Sequence, residues 1–491
     1  MVCKAGRMLC RPTYKAFSPN ASPWSVAGWN SSAPPPLPLT LSDTSLAVPL
    51  TFIGSLPPTL IDRIPLETFE GIIDQMDHPS LPVAALVCKA WHHRATTNLY
   101  STVEIISRTN YHLLVERFRT SSHVQQMLAR TRTIIVKGFS YPVTRATFLD
   151  SLPLVFATAL PALRTFAIYG ALRPAMHPTF YRALRQFGHL LSLHLSDVRL
   201  SNVTELQRVV YAFPNLQALH LRGVTLVQTD SACCRYQLPT HTPLEYKLKQ
   251  LELFLDEREG ERPYLTCITN WLVGSTICAS LTDLAAGLNG LEVKFGARGQ
   301  QGRACEQITL LLETCGPSLL SFHGRLAAMV EPPAGYHLVH NTALRRLTLE
   351  VDLFNVGHWE EKWLRAASRL YATLSTVRSQ QLECITIKLT YDDWGSDWTL
   401  ESVLVGPEAP ILTQEMLTSQ WRSLHDVMDR LYSDKLRDVT VETLILHYGG
   451  LWSEEEANAV DQRIIPIYRQ LFAPWNHRGI VKMTNIDHAQ G

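Results

Sequence analysis

The sequence has almost no excess of either charge. Its 491 residues include 45 lysines and arginines against 44 aspartates and glutamates, and charged residues make up only 18% of the chain. A nearly neutral chain has no broad basic field to attract a polyanion, so nucleic-acid binding is not expected. The hydrophobic fraction of 46% is that of an ordinary globular protein. A chain of this length is expected to form about two to four domains.

Long hydrophobic runs and paired cysteine motifs are also missing. No stretch reaches the about 18 consecutive apolar residues of a membrane-spanning helix, and no apolar segment follows the basic residues near Met1. Neither a membrane anchor nor a secretory signal is therefore expected. The ten cysteines include no C-x-x-C pair, and Cys233 and Cys234 are interpreted as ordinary thiols in a polar loop. This pattern favours a reduced, intracellular protein, cytoplasmic or nuclear, without a membrane partner.

The motifs of common catalytic sites are missing as well. The chain has neither a G-x-S-x-G nucleophile elbow nor a G-x-x-x-x-G-K-[ST] phosphate-binding loop. His337 and His340 lack the carboxylate or cysteine partners that a metal site needs. We therefore expect a non-enzymatic protein without metal or cofactor. The alternative is a hydrolase or transferase with an α/β core whose site residues are too scattered along the sequence to recognise.

Residues 62–105 have the pattern of a compact unit of three helices. Pro65 suits the first turn of a helix, where its missing N–H would have no partner, and Glu67 lies near the positive end of the helix dipole. Four apolar residues then follow at helical spacing and form one stripe: Phe69, Ile72, Ile73 and Met76.

The second helix of this unit is predicted to start after Ser80, a suitable N-cap. It has two apolar faces. One consists of Leu81, Ala84, Ala85, Cys88 and Trp91, and the other of Val83, Leu86 and Val87. A segment this short with two apolar faces is expected to bury one of them internally and offer the other to a partner. The alternative is a helical bundle packed wholly inside the protein.

At these residues the chain resembles the F-box family. The matching features are the hydrophobic-Pro-x-Glu start at Ile64-Pro65-Leu66-Glu67, the apolar helix that follows, and Leu86-Val87-Cys88-Lys89-Ala90-Trp91. The resemblance implies docking to the Skp-type adaptor of a cullin-based ubiquitin ligase. The adaptor-binding residues that it implies are Ile64, Pro65, Phe69, Ile72, Ile73, Met76, Leu86, Val87 and Trp91.

A leucine pattern repeats after the helical unit. Leu190-x-x-Leu193-x-Leu195 recurs as Leu216-x-x-Leu219-x-Leu221, and this spacing places the last two leucines on one face of a short strand. Echoes of the pattern begin at residues 163, 248, 281, 319, 344, 382 and 441, with a weaker one at Ile134 and Val136. Helix-like segments lie between them at 178–188, 202–212, 305–315 and 363–378. We therefore predict parallel stacking with one strand and one helix per repeat.

The irregular spacing resembles the degenerate leucine-rich repeats of F-box proteins. The predicted fold is α/β, with a short three-helix F-box-like unit followed by an irregular leucine-rich-repeat solenoid. The predicted segments are a flexible Ser/Pro-rich arm at 1–58, the F-box-like domain at 59–107, a helical linker at 108–130 and the repeat domain at 131–491. An ordinary α/β sheet without solenoid geometry is the alternative. Residues 390–412 are expected to form a loop on one rim of the array.

The expected function is that of a substrate-recognition subunit in a cullin-based ubiquitin ligase. The helical unit would bind the Skp-type adaptor, and through it a cullin, while the repeats hold an unidentified target protein near the ubiquitin-charged enzyme. Target contacts are expected on the outward strand face and in the rim loop, at His194, His220, Glu252, Thr348, Trp394 and Trp398. A DNA-binding helix-turn-helix is a weaker alternative, because acidic residues outnumber basic ones on the first helix.

Overall fold

The computed structural model describes most of the chain after residue 64. The described residues are 65–138, 148–228, 247–256, 264–289, 300–326, 335–352, 359–393, 414–431, 435–447, 465–483 and 487–490. All of them belong to one unit, Asp62–Gln490. Several predicted features lie outside the described residues: the arm at 1–58, Ile64, the polar loop with Cys233 and Cys234, and the predicted rim loop from residue 394 onward, with Trp394 and Trp398. Within the described ranges, no helix has both the length and the apolar character needed to cross a bilayer.

The helices form two groups along the chain. Within the described residues, three helices precede the first strand in the chain and two follow it: α1 (Leu66–Asp74), α2 (Leu81–Val87), α3 (Lys89–Ser101), α4 (Arg108–Thr120) and α5 (Ser122–Leu128). The others alternate with the later strands: α6 (Leu152–Phe156), α7 (Pro178–Leu184), α8 (Val203–Val210), α9 (Tyr264–Val273), α10 (Gln300–Cys315), α11 (Trp359–Leu374), α12 (Gln414–Leu431), α13 (465–471) and α14 (Ala473–His477).

In the described part of the chain, thirteen strands form one parallel sheet, and nearly every strand pairs with the next one along the chain. They are β1 (Thr102–Ile105), β2 (Thr133–Lys137), β3 (Thr165–Tyr169), β4 (Ser192–Ser196), β6 (Ala218–Arg222), β8 (Gln250–Asp256), β9 (Asp283–Asn289), β10 (Ser321–Leu326), β11 (Arg346–Asp352), β12 (Cys384–Asp393), β13 (Asp438–His447), β14 (Val481–Met483) and β15 (Asp487–Gln490). Two short strands, β5 (Arg199–Leu200) and β7 (Thr225–Leu226), pair separately. This arrangement confirms the predicted α/β class.

Strand register places the repeated leucines in continuous rows on one face of the sheet. Leu193 lies opposite Leu219, and Leu195 lies opposite Leu221. The first row continues through Ile134, Phe166, Leu251, Leu284, Phe322, Leu347, Ile385 and Val439, all buried. These side chains share one hydrophobic cluster with the apolar faces of the helices, so the helices cover this face. The opposite face carries mostly polar, half-exposed side chains.

Helix α8 shows how the local sequence produces a crossover helix. The Asn202 side chain caps it by accepting a hydrogen bond from the backbone N–H of Glu205 at 3.1 Å. Val203, Leu206 and Val210 follow at helical spacing, and all three are buried against the sheet side of the protein. The predicted helix segments 178–188, 202–212, 305–315 and 363–378 are confirmed in position by α7, α8, α10 and α11.

Three consecutive strands end in the same left-handed turn. Gly170, Asp197 and Gly223 directly follow β3, β4 and β6 and have φ angles of 62°, 53° and 59°. Each N–H donates to a backbone carbonyl of the neighbouring strand, as Asp197 does to Arg222 and Gly223 does to Phe254, both at 2.8 Å. A Cβ on Gly223 would lie 2.6 Å from the Asp197 carboxylate, so the surroundings of Gly223 favour glycine, whereas the turn itself also accommodates aspartate at Asp197. The turn satisfies backbone groups at each strand end.

The predicted second helix is wrong in its extent. It ends at Val87, and a separate helix begins at Lys89, because Cys88 is extended with φ −158° and ψ 169°. The Cys88 carbonyl accepts a hydrogen bond from the His92 N–H at 2.9 Å, so Cys88 begins the third helix and does not continue the second. Ser80 has the predicted N-cap position, but its side chain forms no capping hydrogen bond.

Two predicted boundaries in the repeats also need correction. The last repeat begins at Leu436 and not at Val441, because Val439 pairs with Ile385 and Val441 with Ile387 in the buried rows. The apolar residues after Val439 fit two frames of the pattern, and only pairing with β12 selects one. In addition, β12 continues to Asp393, so the first residues of the predicted loop at 390–412 are strand.

The sheet starts within the segment predicted as the docking domain. Strand β1 pairs in parallel with β2, with Val103 opposite Ile134, and helices α4 and α5 lie between these strands in the chain. Ile105 of β1 and Leu128 of α5 are buried in the main cluster. The predicted boundaries at 107 and 130 stay predictions, but hydrogen bonding and core packing are continuous across both.

Candidate interaction surfaces

Helices α1, α2 and α3 pack around a small apolar cluster of their own. Its buried members are Ile73, Leu81, Ala84 and Ala95, and Met76, Ala85, Trp91 and Leu99 pack against it. The rings of Phe69 and Trp91 are in contact, with centroids 5.9 Å apart. One apolar face of α2 is therefore used internally, together with part of the α1 stripe.

The second apolar face of α2 is exposed. Leu86 is 85% exposed, and Val83 and Val87 are more than half exposed. These three residues have i, i+3 and i+4 spacing and form one line on the helix, which we name the α2 stripe. On α1, Leu66 and Ile72 are also about half exposed. Five large aliphatic side chains are thus exposed on two neighbouring short helices, and an apolar patch of this kind is typical of protein contact surfaces.

An ion pair holds α1 against α3. The Arg94 guanidinium donates through Nε to Asp74 Oδ1 at 2.7 Å and also contacts Oδ2, and Asn98 donates to Oδ1 at 2.8 Å. These hydrogen bonds, that of Arg94 above all, lower the pKa of Asp74 to about 2. The carboxylate is thus ionised at neutral pH. The contact joins the C-terminal end of α1 to the middle of α3.

The structure divides the predicted adaptor-binding residues into two sets. Phe69, Ile73, Met76 and Trp91 belong to the internal packing of the three helices, while Pro65, Ile72, Leu86 and Val87 are exposed. The predicted set of adaptor-binding residues omitted Leu66 and Val83, which are as exposed as the second set, although Val83 was predicted to share an apolar helix face with Leu86 and Val87. The three-residue spacing of Val83 and Leu86 was the available signal, because it places both on one side of a helix.

The polar face of the sheet brings three of the predicted target-binding residues together. His194 on β4 stacks on His220 on β6, with ring centroids 3.9 Å apart and planes only 2° from parallel. His220 Nδ1 donates to Glu252 Oε2 on β8 at 2.7 Å, and Arg222 donates to Oε1 at 3.0 Å. Ser192 is hydrogen-bonded to His194 Nε2 at 3.0 Å. The side chains form one network across three strands.

We predict that His194 makes folding stability depend on pH. Burial, with a further contribution from His220, lowers the pKa of His194 from 6.5 to about 4. Between these pH values the unfolded chain binds a proton that the folded chain does not, so the free energy of unfolding falls as the pH falls. Denaturant titrations at several pH values give the free energy of unfolding as a function of pH. Between about pH 4 and pH 6.5 this free energy should change with pH less steeply for His194→Gln than for wild type, by the equivalent of one proton. Parallel curves for the two proteins would contradict this assignment.

A second network lies further along the same face. The Arg325 guanidinium on β10 donates from Nε to Asp352 Oδ2 at 2.7 Å and from a terminal nitrogen to Oδ1 at 3.1 Å, and Glu350 lies 3.7 Å away. Phe254 lies between the two networks. Arg222 lies over its ring at 5.7 Å, and His323 makes an edge contact with it at 6.0 Å. The polar face is thus continuous from β4 to β11.

Thr348 is half-buried in this face, where it lies opposite His323 and Thr386. Arg222, Phe254, Arg325 and Glu350 were not predicted to be part of the surface. They lie two residues after the predicted positions or at equivalent positions on neighbouring strands, so the strand period of two was the signal that could have found them. The ion pairs between strands, in contrast, could not be predicted from this period, because they depend on which residues of neighbouring strands lie opposite each other.

Comparison with known proteins adds no assignment. No model of a known protein family matches the chain, and a search of curated proteins returned no match. Among the described residues, no three His, Cys, Asp or Glu side chains are grouped so that they could hold a metal ion. Function is therefore inferred from the helix surface and the sheet face.

Proposed function

We propose that this chain is the substrate-recognition subunit of a cullin-based ubiquitin ligase of the Skp–cullin–F-box type. On this proposal, helices α1 to α3 are an F-box-like unit that docks to the Skp-type adaptor. The parallel sheet is an irregular leucine-rich-repeat array that holds a target protein. The chain carries out no bond chemistry itself and raises the local concentration of its target near the ubiquitin-charged enzyme.

The exposure of the α2 stripe is the observation that best supports the proposal. Leu86 lies within the segment that resembles the F-box family, and its side chain is 85% exposed while its neighbours Ala84 and Ala85 face the internal cluster. An interface anchor needs such a side chain, because burial of a leucine on binding contributes about 1.5–3 kcal/mol. The α1–α3 ion pair would hold the surface in one shape before binding.

The polar sheet face supports the second half of the proposal. Its charges are largely paired within the face, as in His220–Glu252–Arg222 and Arg325–Asp352. A surface of this kind has little net field and would select a target by the pattern of hydrogen-bond donors and acceptors more than by overall charge. The stacked histidines and Phe254 place aromatic rings between the charged side chains.

Co-purification of the full chain with a Skp-type adaptor tests the proposal. We expect wild type to form the complex and Leu86→Asp to lose it, because docking would bury an unpaired carboxylate in an apolar contact. Leu86 suits this test better than Trp91, whose ring packs against the internal cluster and against Phe69, so that its loss would also remove internal contacts. The matched control is Leu154→Asp on α6, where a leucine is 57% exposed outside the three helices.

Equal unfolding temperatures for both variants and wild type would establish that neither change disrupts the fold. The proposal is wrong if folded Leu86→Asp binds the adaptor as well as Leu154→Asp does. Absence of any complex with wild type would also reject it. In that case the hydrolase or transferase hypothesis becomes the leading one, and activity screening with wild type is the next measurement.

A further inference from the structure

A cleft of about 590 Å³ lies on the protein between the segments that follow β3 and β5. Its volume falls in the range of roughly 300–1,000 Å³ that is typical of small-molecule sites. Its walls come from the chain before α7, from α7 itself, from the chain before α8, and from α8 as far as Arg208 in its last turn. Neither of the two interaction surfaces includes them.

The carboxylate of Glu205 holds the walls of the cleft together. It is buried and accepts three hydrogen bonds, from the Met176 N–H at 3.1 Å, from the Ser201 N–H at 2.6 Å and from the Tyr181 hydroxyl. Burial and the bond to Glu205 raise the pKa of Tyr181, so its hydroxyl remains a donor. Because these internal donors occupy both carboxylate oxygens, Glu205 serves the shape of the cleft and not the recognition of a ligand.

The remaining polar groups in the lining are mainly donors. His177 Nδ1 accepts from the Thr179 N–H at 3.3 Å, so the neutral ring carries its proton on Nε2. Asn202 uses its oxygen to cap α8, which leaves its NH₂ group as a donor. Arg208 is exposed, and within the described part of the chain no carboxylate pairs with it. Arg173 adds a second guanidinium, which Asp150 pairs on one side.

We propose that this cleft binds a small organic molecule that carries an oxyanion, either a phosphate or a carboxylate. A cleft that presents donors and cations, and whose own carboxylate is already satisfied, complements a ligand group that only accepts hydrogen bonds. Arg208 contacts the anion, with Arg173 and His177 beside it. Met176, Pro178 and Ala175 form an apolar wall for the body of the molecule. This site does not depend on the adaptor or target surfaces.

Calorimetric titration of the full chain with inorganic phosphate and, separately, with succinate tests the proposal. We expect saturable binding of at least one probe, and the stronger of the two identifies the phosphate or the carboxylate as the preferred group. Arg208→Gln should weaken that binding about tenfold or more, because it removes a charge-assisted hydrogen bond. The matched control, Arg185→Gln, changes an exposed arginine that directly follows α7 and lies outside the lining, and it should bind as wild type does.

Two outcomes would overturn the assignment: no saturable heat with either probe, or equal affinity for Arg208→Gln and Arg185→Gln. Arg208 is exposed, so its loss is not expected to unfold the chain, and unfolding temperatures of the two variants check this. Leu86→Asp should bind the probe as wild type does. Failure of adaptor docking and failure of anion binding are therefore separate results.

Discussion

Arg325→Met should lower the free energy of unfolding by about 3–5 kcal/mol. Arg325 is only 14% exposed in its side chain, and its partner Asp352 only 6%. Burial raises the pKa of Asp352 to about 6 against the opposing effect of Arg325, so the carboxylate is ionised at neutral pH. Removal of the guanidinium leaves this buried charge without its counter-ion. Denaturant unfolding of both proteins at pH 7 measures the loss.

The pH dependence of the same variant identifies the cause. Without Arg325, the pKa of Asp352 rises further above that of the unfolded chain, so the folded variant binds an extra proton as the pH falls. The difference in free energy of unfolding between wild type and the variant should therefore become smaller as the pH is lowered from 8 to 6. A deficit that stays constant with pH would instead indicate lost packing.

Two further variants test whether burial of the ion pair causes the loss of stability in Arg325→Met. The double variant Arg325→Met/Asp352→Leu replaces the buried pair with apolar groups and should recover most of the stability. Arg346→Met removes an exposed ion pair, in which Arg346 is 65% exposed and lies 3.4 Å from Asp283. It should change stability by less than about 1 kcal/mol. Equal losses in Arg325→Met and Arg346→Met would show that burial of the pair is unimportant.

Gly324→Leu should also be severely destabilising. Leucine is the residue that the L-x-x-L-x-L pattern would place at this position, after Leu319 and Phe322. Gly324 lies in the second buried row, beside Ala286 and Leu349. A Cβ there would lie 2.4 Å from the ring of Tyr336 and 2.8 Å from that of Phe322. Both rings are almost fully buried, so neither can move aside easily. We expect a loss of about 3 kcal/mol or more in denaturant unfolding, from overpacking.

A compensating substitution and an exposed glycine provide the controls. Gly324→Leu/Tyr336→Ala makes room for the new side chain and should be more stable than Gly324→Leu alone. Gly71→Leu introduces the same side chain in α1, where no atom lies within 4 Å of the position that a Cβ would take, and helix propensity should make it neutral or slightly stabilising. If Gly324→Leu is as stable as wild type, the Tyr336 ring does not occupy the space that a leucine side chain at position 324 would need.

Several features of this protein could be predicted because they depend on local periodicity. The period of two in Leu193 and Leu195 determines which side of β4 is buried, and the period of 3.6 in Val203, Leu206 and Val210 determines the inner face of α8. The two apolar faces of α2 were also visible from spacing alone. These patterns act within a few residues, so no knowledge of the partner strand or helix was required.

Register and close packing were decided only by the tertiary structure. Val441 belongs to the buried row because it pairs with Ile387, and nothing in the local sequence distinguishes that frame from the one five residues later. The break at Cys88 arises from the packing of α2 and α3, since a helix period continues through it in the sequence.

The sequence by itself therefore determined the α/β class, the faces of strands and helices, and the near-neutral charge. The tertiary structure alone decided which distant groups meet: His220 with Glu252, Arg325 with Asp352, and Glu205 with the walls of its cleft. The physical reason is the range of each effect. Side-chain periodicity is set by backbone geometry within one element, whereas ion pairs, clefts and filled gaps depend on residues brought together by strand register and crossover length.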